Sequence, residues 1–213
     1  IVMLQFSYSS DYYRDRMREQ DPKPGLKPYD FVLMGFVAFE DPGLVIYPPH
    51  RVLDMPENFD REKFRGQMAD WFDMEPLDDP NQLVDRVKET AGCAMGVVIH
   101  GVGQCLVRLK DSVDRAEMLG TDRGPAWRAL DIAVLHRGIL ENILGLPEGV
   151  KLSYERDAQK AVADVLAGTK GMAFIVNATR PEQVRACAEA AEPMPQKATY
   201  FFPKLPSGAV IHR

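Results

Sequence analysis

Two stretches of the 213-residue chain hold side chains suited to gripping an anion. The first is Pro48-Pro49-His50-Arg51, in which two prolines fix φ and stiffen the backbone just ahead of an imidazole and a guanidinium. Displayed rigidly, His50 and Arg51 can hold a phosphate through charge-assisted hydrogen bonds. The competing structural role has His50 capping backbone carbonyls and Arg51 pairing with a nearby carboxylate. The second stretch, residues 194–210, contains three prolines, the run Tyr200-Phe201-Phe202, two lysines and Gly208. Lys197 and Lys204 offer point charges and Thr199 a hydroxyl. Each proline drives the residue before it towards extended geometry, so a helix is excluded and a bent ribbon expected. Its plainer role is a C-terminal strand whose aromatics cover the core and whose lysines face water.

The elements that must position these residues follow from spacing and punctuation. Residues 11–20 form a charged helix that Asp11 can cap, and the proline-rich stretch 21–28 reads as a linker. Residues 29–39 are apolar throughout, which predicts a central strand. Asp41-Pro42-Gly43 supplies a turn that returns residues 44–47 antiparallel to it, a hairpin ending at Pro48-Pro49. Phe64, Met68, Trp71 and Phe72 make a helical stripe in 60–72, and a second helix covers 81–90. Short apolar strands, 94–99 and 105–109, flank a turn containing Gly101 and Gly103. That Gly-x-Gly joins strand to strand, whereas a dinucleotide-binding loop joins strand to helix. His100 and Cys105 beside it are too few for a metal site. Residues 111–128 read as a polar loop. The helix over about 130–144 carries Ile132, Leu135, Ile139 and Ile143 on one face, with His136 one position away as either a structural or a catalytic histidine. A strand at 151–154, a helix at 157–166, a strand at 172–176 and a helix at 181–190 precede the ribbon, with Cys187 facing the core and 209–211 as a last edge strand. Without strict alternation, this order predicts an α+β fold on a mixed, largely antiparallel sheet with helices packed on it. Residues 1–28 are expected as an N-terminal remnant helix and linker, and 29–213 as one domain.

Bulk properties narrow the function classes. With 46% hydrophobic residues the chain can bury one substantial core. A net charge of −5 and a pI near 5.4, without a basic run, argue against a nucleic-acid groove. Apolar runs fall well short of the roughly twenty residues a bilayer needs, which argues against a membrane partner. The three cysteines fit neither a disulfide framework nor a zinc site, as expected of a cytoplasmic protein.

The ribbon resembles the C-terminal signature of the bacterial and archaeal family called domain of unknown function 1015. Residues Phe39-Glu40-Asp41-Pro42-Gly43-Leu44-Val45-Ile46-Tyr47-Pro48-Pro49-His50-Arg51 resemble that family's Glu-Asp-Pro-Gly-Leu-Val-Ile-Leu-Pro-Thr-His-Arg block. Asp131-Ile132-Ala133-Val134-Leu135-His136 resembles its Asp-Val-Ser-Val-Leu-His helix start. The resemblance implies that this chain is the C-terminal half of a protein about twice as long, whose first half is similar to the ParB/sulfiredoxin-like free serine kinases. That half ends in an Asp-Gly-His-His-Arg motif suited to handling a phosphoryl group. Aligned on Tyr13-Arg14-Asp15, the motif falls on Val2, Met3, Leu4, Gln5 and Phe6, none of which matches. Two readings follow. In one, a truncated serine kinase-like phosphotransferase supplies a cleft wall through His50, Arg51, Lys197, Thr199 and Lys204, binds a small phosphorylated metabolite or nucleotide, and is inactive alone. ATP or ADP then belongs to the full-length family, with no cofactor in this chain. In the other, the chain is a non-catalytic binding or assembly module that self-associates or docks a missing N-terminal half.

Overall fold

The computed structural model of the protein describes residues 2–4, 7–31 and 35–204. These divide into two compact units, one of Ile1–Val45 with Phe201–Arg213 and one of Ile46–Tyr200. The division falls after the 21–28 linker instead of at it. Contacts across that linker explain this: Arg18 pairs with Asp30 and lies over the Tyr29 ring, and Lys27 pairs with Asp21 at 2.9 Å.

In the first unit, β1 (Val2–Leu4) is followed by α1 (Ser7–Gln20), a 3-10 turn at Pro28–Asp30 and β2 (Gly35–Val37). β1 and β2 pair antiparallel in register Met3↔Phe36. The central strand expected over 29–39 is therefore a short strand in a two-stranded sheet, its N-terminal part wound by Pro28 at the first position of the 3-10 turn. The edge strand expected at 209–211 lies outside the described residues.

The second unit carries the main sheet. After β3 (Val45–Tyr47) come β4 (His50–Leu53), α2 (Arg61–Trp71), β5 (Phe72–Leu77), α3 (Pro80–Glu89), β6 (Ala94–Ile99) and β7 (Gly103–Leu109). Two short helices, α4 (Arg115–Leu119) and α5 (Pro125–Arg128), occupy the stretch read as a loop. Next is α6 (Asp131–Ala133), continued by a π-helical run over Val134–Ile143, then β8 (Ser153–Glu155), α7 (Ala158–Leu166), β9 (Met172–Val176) and α8 (Pro181–Glu189), while β10 (Tyr200–Phe202) starts at the last residue of this unit. Six strands pair antiparallel in the order β5-β7-β6-β9-β4-β8, as the α+β expectation requires.

Both faces of this sheet are covered. Met95 and Val97 alternate with Ala94 and Val98 along β6, so the first pair joins one core with Phe64, Met68, Leu135, Ile139 and Phe174. The second pair joins another with Leu83, Val87, Val162 and Ile175. Cys187 is buried in the first core. β5 went unread in the sequence because Phe72 was taken into the helical stripe of 60–72 and Pro76 interrupts what remains of the strand. Its place at the sheet edge explains why a proline is tolerated there. Asp60, Asp79 and Asp157 cap α2, α3 and α7 with their carboxylates. Among the described residues no helix is long and apolar enough to cross a membrane.

Close backbone approach fixes one glycine. A Cβ on Gly171 would stand 2.1 Å from the Met55 amide nitrogen, where the β4 exit and the β9 entry run together through the Gly171 N–H to Leu53 O bond of 3.0 Å. Gly171→Ala is expected to cost about 1–3 kcal/mol, the range for overpacking a filled interior, read as a lower urea midpoint. An unchanged midpoint would show that the two segments separate freely.

Candidate functional site

His50 and Arg51 open β4, and successive side chains of a strand leave opposite faces of the sheet. Arg51 shares its face with Leu53 and Phe174, and His50 shares the other with Val52. They cannot grip one anion together, which corrects the expectation built on their adjacency. The prolines lie between two strands, ending β3 as expected and preceding β4.

Arg51 is 0% exposed and fully engaged. Its Nε donates to His136 Nε2 at 3.1 Å, Nη1 to Pro49 O, and Nη2 to Lys197 O at 3.0 Å and Gln196 O at 3.3 Å. The guanidinium also lies 5.2 Å from the Tyr154 ring centre. Among the described residues no carboxylate pairs with it, and burial pulls its pKa down to about 10. Arg51 is thus a brace that ties residues 196 and 197 to the sheet. The carboxylate partner foreseen for it is replaced by backbone carbonyls. Those of 196 and 197 become available because Lys197 takes a positive φ of 55°.

The brace holds one wall of a cavity of about 400 Å³. The ribbon contributes Pro193, Met194, Pro195 and Gln196, β8 contributes Tyr154, and the π-helical run contributes His136, Arg137, Leu140 and Glu141. Bonds of the i→i+5 kind, as from Leu144 N–H to Ile139 O at 2.8 Å, place residues at i, i+1, i+4 and i+5 on one side; such runs recur at functional sites. The segment 147–152, with Glu148, adds to the lining, and a further wall is Asp122, Arg123 and Trp127. Glu192 sets it in place by accepting from the backbone N–H groups of Gly124 and Trp127. A Cβ on Gly124 would push the Glu192 carboxylate out of this position.

Two guanidiniums border the Trp127 ring, with Arg123 at 5.9 Å and Arg137 at 6.0 Å from its centre. Arg137 Nη1 donates to both Asp122 carboxylate oxygens, at 2.7 and 2.9 Å, and among the described residues its other N–H groups have no recorded acceptor. Burial raises the Glu141 carboxyl, Glu148 adds to the rise and Arg137 opposes it. His136 receives the Arg51 hydrogen bond on Nε2, so its proton sits on Nδ1. Burial first and the Arg51 charge second hold its pKa at about 4. A neutral ring whose basic nitrogen is occupied can donate but cannot act as a base.

Of the residues foreseen, the structure joins Arg51 to the backbone of Lys197, while the Lys197 side chain is exposed and Thr199 half-buried. Lys204 is exposed and belongs to the other unit. Arg123, Trp127, Arg137 and Tyr154 were missed; their sequence neighbourhoods carry no pattern, and only the fold gathers them. Among the described residues no cluster of His, Cys, Asp and Glu is placed to hold a metal ion.

The family described as "Protein of unknown function (DUF1015)" matches residues 7–133, more than half of the chain, and the chain belongs to that family. The match includes the 39–51 block and the first residues of the 131–136 block, while the ribbon lies beyond it. No curated protein matches the chain. Among solved structures, "Free serine kinase in complex with AMP" shows 12% identity and a TM-score of 0.45, covering 78% of this chain and 56% of its own. A conserved hypothetical protein from Pyrococcus furiosus shows 13% identity and a TM-score of 0.45, covering 78% and 59%. The chain thus spans under two thirds of the length of either structure.

Proposed function

We propose that residues 46–200 form a small-molecule-binding module whose 400 Å³ cavity takes a phosphorylated metabolite or a nucleotide, as one wall of a phosphotransferase cleft. The observation that carries this reading is the pair of guanidiniums at Trp127, in a cavity whose opposite wall is braced by the buried Arg51. Guanidinium forks match phosphate oxygens two at a time, and the Trp127 and Tyr154 rings offer faces to a base or an apolar moiety. Glu141 and Glu148 suit ribose hydroxyls or an ammonium group. Lys197, next in the chain to the lining residue Gln196, is the rim charge of this reading, and Thr199 the hydroxyl beside it. Lys204 has no part in it.

In this reading the chain is the C-terminal part of a longer family member and binds without turnover. His136 orients and donates, and the groups that move the proton come from outside residues 46–200. Incubation of the chain with serine and ATP or ADP is expected to yield no phosphoserine.

Calorimetry with ATP, ADP and phosphoserine tests the binding. One saturable site is expected, weakened about tenfold or more in Arg137→Ala, the scale of one charge-assisted contact. No heat with any of the three, together with a concentration-dependent dimer, would replace this reading with that of an assembly module.

A further inference from the structure

On the face of the sheet opposite Arg51 lies a second cavity, of about 580 Å³. Its walls are largely aliphatic, with Val84 and Val87 from α3, Ala158 at the start of α7 and Ile175 from β9. One buried polar ring belongs to the lining. His50, 3% exposed, accepts at Nδ1 from the Val176 backbone N–H at 3.2 Å, which fixes the tautomer with its proton on Nε2. Among the described residues no acceptor is found for that Nε2–H, and the atom is not fully enclosed. A donor that keeps access to a hollow and holds no protein acceptor is open to an acceptor on a ligand. Burial holds the ring's pKa at about 4, with the Arg51 charge adding, so His50 is a neutral donor at neutral pH.

The charges at the lining are unevenly committed. The Asp157 carboxylate is taken by the Gln159 and Lys160 backbone N–H groups, and Asp85 stands 3.6 Å from the Lys88 ammonium. Arg156 lies against the Tyr200 ring, an arrangement that leaves a guanidinium its charge and its in-plane donors. A phosphate would need several convergent free donors, whereas in the lining Asn177 gives its amide N–H to the Val87 carbonyl at 2.9 Å and Lys88 is paired with Asp85. A single N–H with a cation beside it, among aliphatic walls, fits a smaller anionic head on a hydrocarbon body.

We propose that this second cavity binds a small apolar monocarboxylate, its hydrocarbon part against Val84, Val87, Ala158 and Ile175, its carboxylate on the Nε2–H of His50, and its charge offset by Arg156. The site is independent of the Arg137 cavity, because the sheet lies between them.

Octanoate is the probe. Titrated into the full chain, it is expected to bind saturably, to shift the His50 Nε2 resonance and the Val176 amide, and to bind with unchanged affinity when phosphoserine is saturating. Loss of one hydrogen bond to a charged group predicts about tenfold weaker binding in His50→Phe, which keeps the ring volume. Val84→Phe, at a half-buried position, should block the cavity outright. Absence of saturable binding, equal affinity in Val84→Phe, or competition with phosphoserine would each overturn the proposal. If His50→Phe does not fold, Val84→Phe alone decides it.

Discussion

Arg51→Ala is expected to destabilise the protein by about 3–5 kcal/mol, because it strips hydrogen bonds from several buried acceptors at once and leaves the hole of a long side chain. The Pro49, Gln196 and Lys197 carbonyls and His136 Nε2 all lose their donor together. No carboxylate partner is left stranded, so the loss is one of unsatisfied acceptors and cavity. Arg51→Lys keeps the charge without the fork and should recover only part of the loss, since an ammonium on a flexible stem cannot reach four divergent acceptors in a plane. Urea denaturation of the two variants checks this. A loss under about 1 kcal/mol in Arg51→Ala, the scale of an exposed ion pair, would show that the ribbon is held by something else. The brace also makes a local prediction: amide exchange over 193–199 should accelerate in Arg51→Lys, while the β6 and β9 amides stay protected.

The second large effect is with acid. His50 and His136 are both neutral in the folded protein, with pKa values held at about 4 by burial and the Arg51 charge, against an ordinary 6.5. Above pH 6.5 neither state binds the proton and these groups give no pH dependence. Between 6.5 and 4 the unfolded chain takes up protons that the folded chain refuses, so stability falls as pH falls, by up to about 3 kcal/mol per histidine. Asp131 and Glu141, whose carboxyls burial raises, act in the opposite sense as they protonate, and blunt the drop. Asp122 and Glu155, held low by Arg137 and by the Asp157 backbone N–H respectively, lose their contributions only in the carboxylate range below. Urea midpoints at pH 7.5, 6, 5 and 4.5 should slope steeply in the native chain and nearly flatten in His50→Gln with His136→Gln. An equal slope in the two proteins would mean that both rings are protonated in the fold.

Much of the fold was legible because its signals are local. Asp60, Asp79 and Asp157 announce helix starts, Pro181 opens another, and β6 and β9 read as unbroken apolar runs. Pairing was not legible. The same apolar character that marks β6 and β9 as central also marks residues 29–39, and only long-range contacts decide which run enters the large sheet. Pro48-Pro49 was ambiguous in the same way, since two prolines can end one strand or precede another. Had His50–Leu53 been read as a strand, simple alternation would have separated His50 from Arg51. The site was less legible still. Arg51, Arg123, Arg137, Tyr154 and Gln196 are scattered over 146 positions, and a guanidinium in sequence looks like a surface charge whether or not carbonyls surround it.

In the proposed function a phosphorylated ligand settles against Trp127 between Arg123 and Arg137. The chain's two tryptophans allow a direct reading, because Trp127 lines the cavity and Trp71 sits on α2. In a Trp71→Phe background, titration with ADP followed by tryptophan fluorescence should give a saturable change that disappears in Arg137→Ala. Fluorescence that stays flat, or a change that persists unaltered in Arg137→Ala, would contradict it.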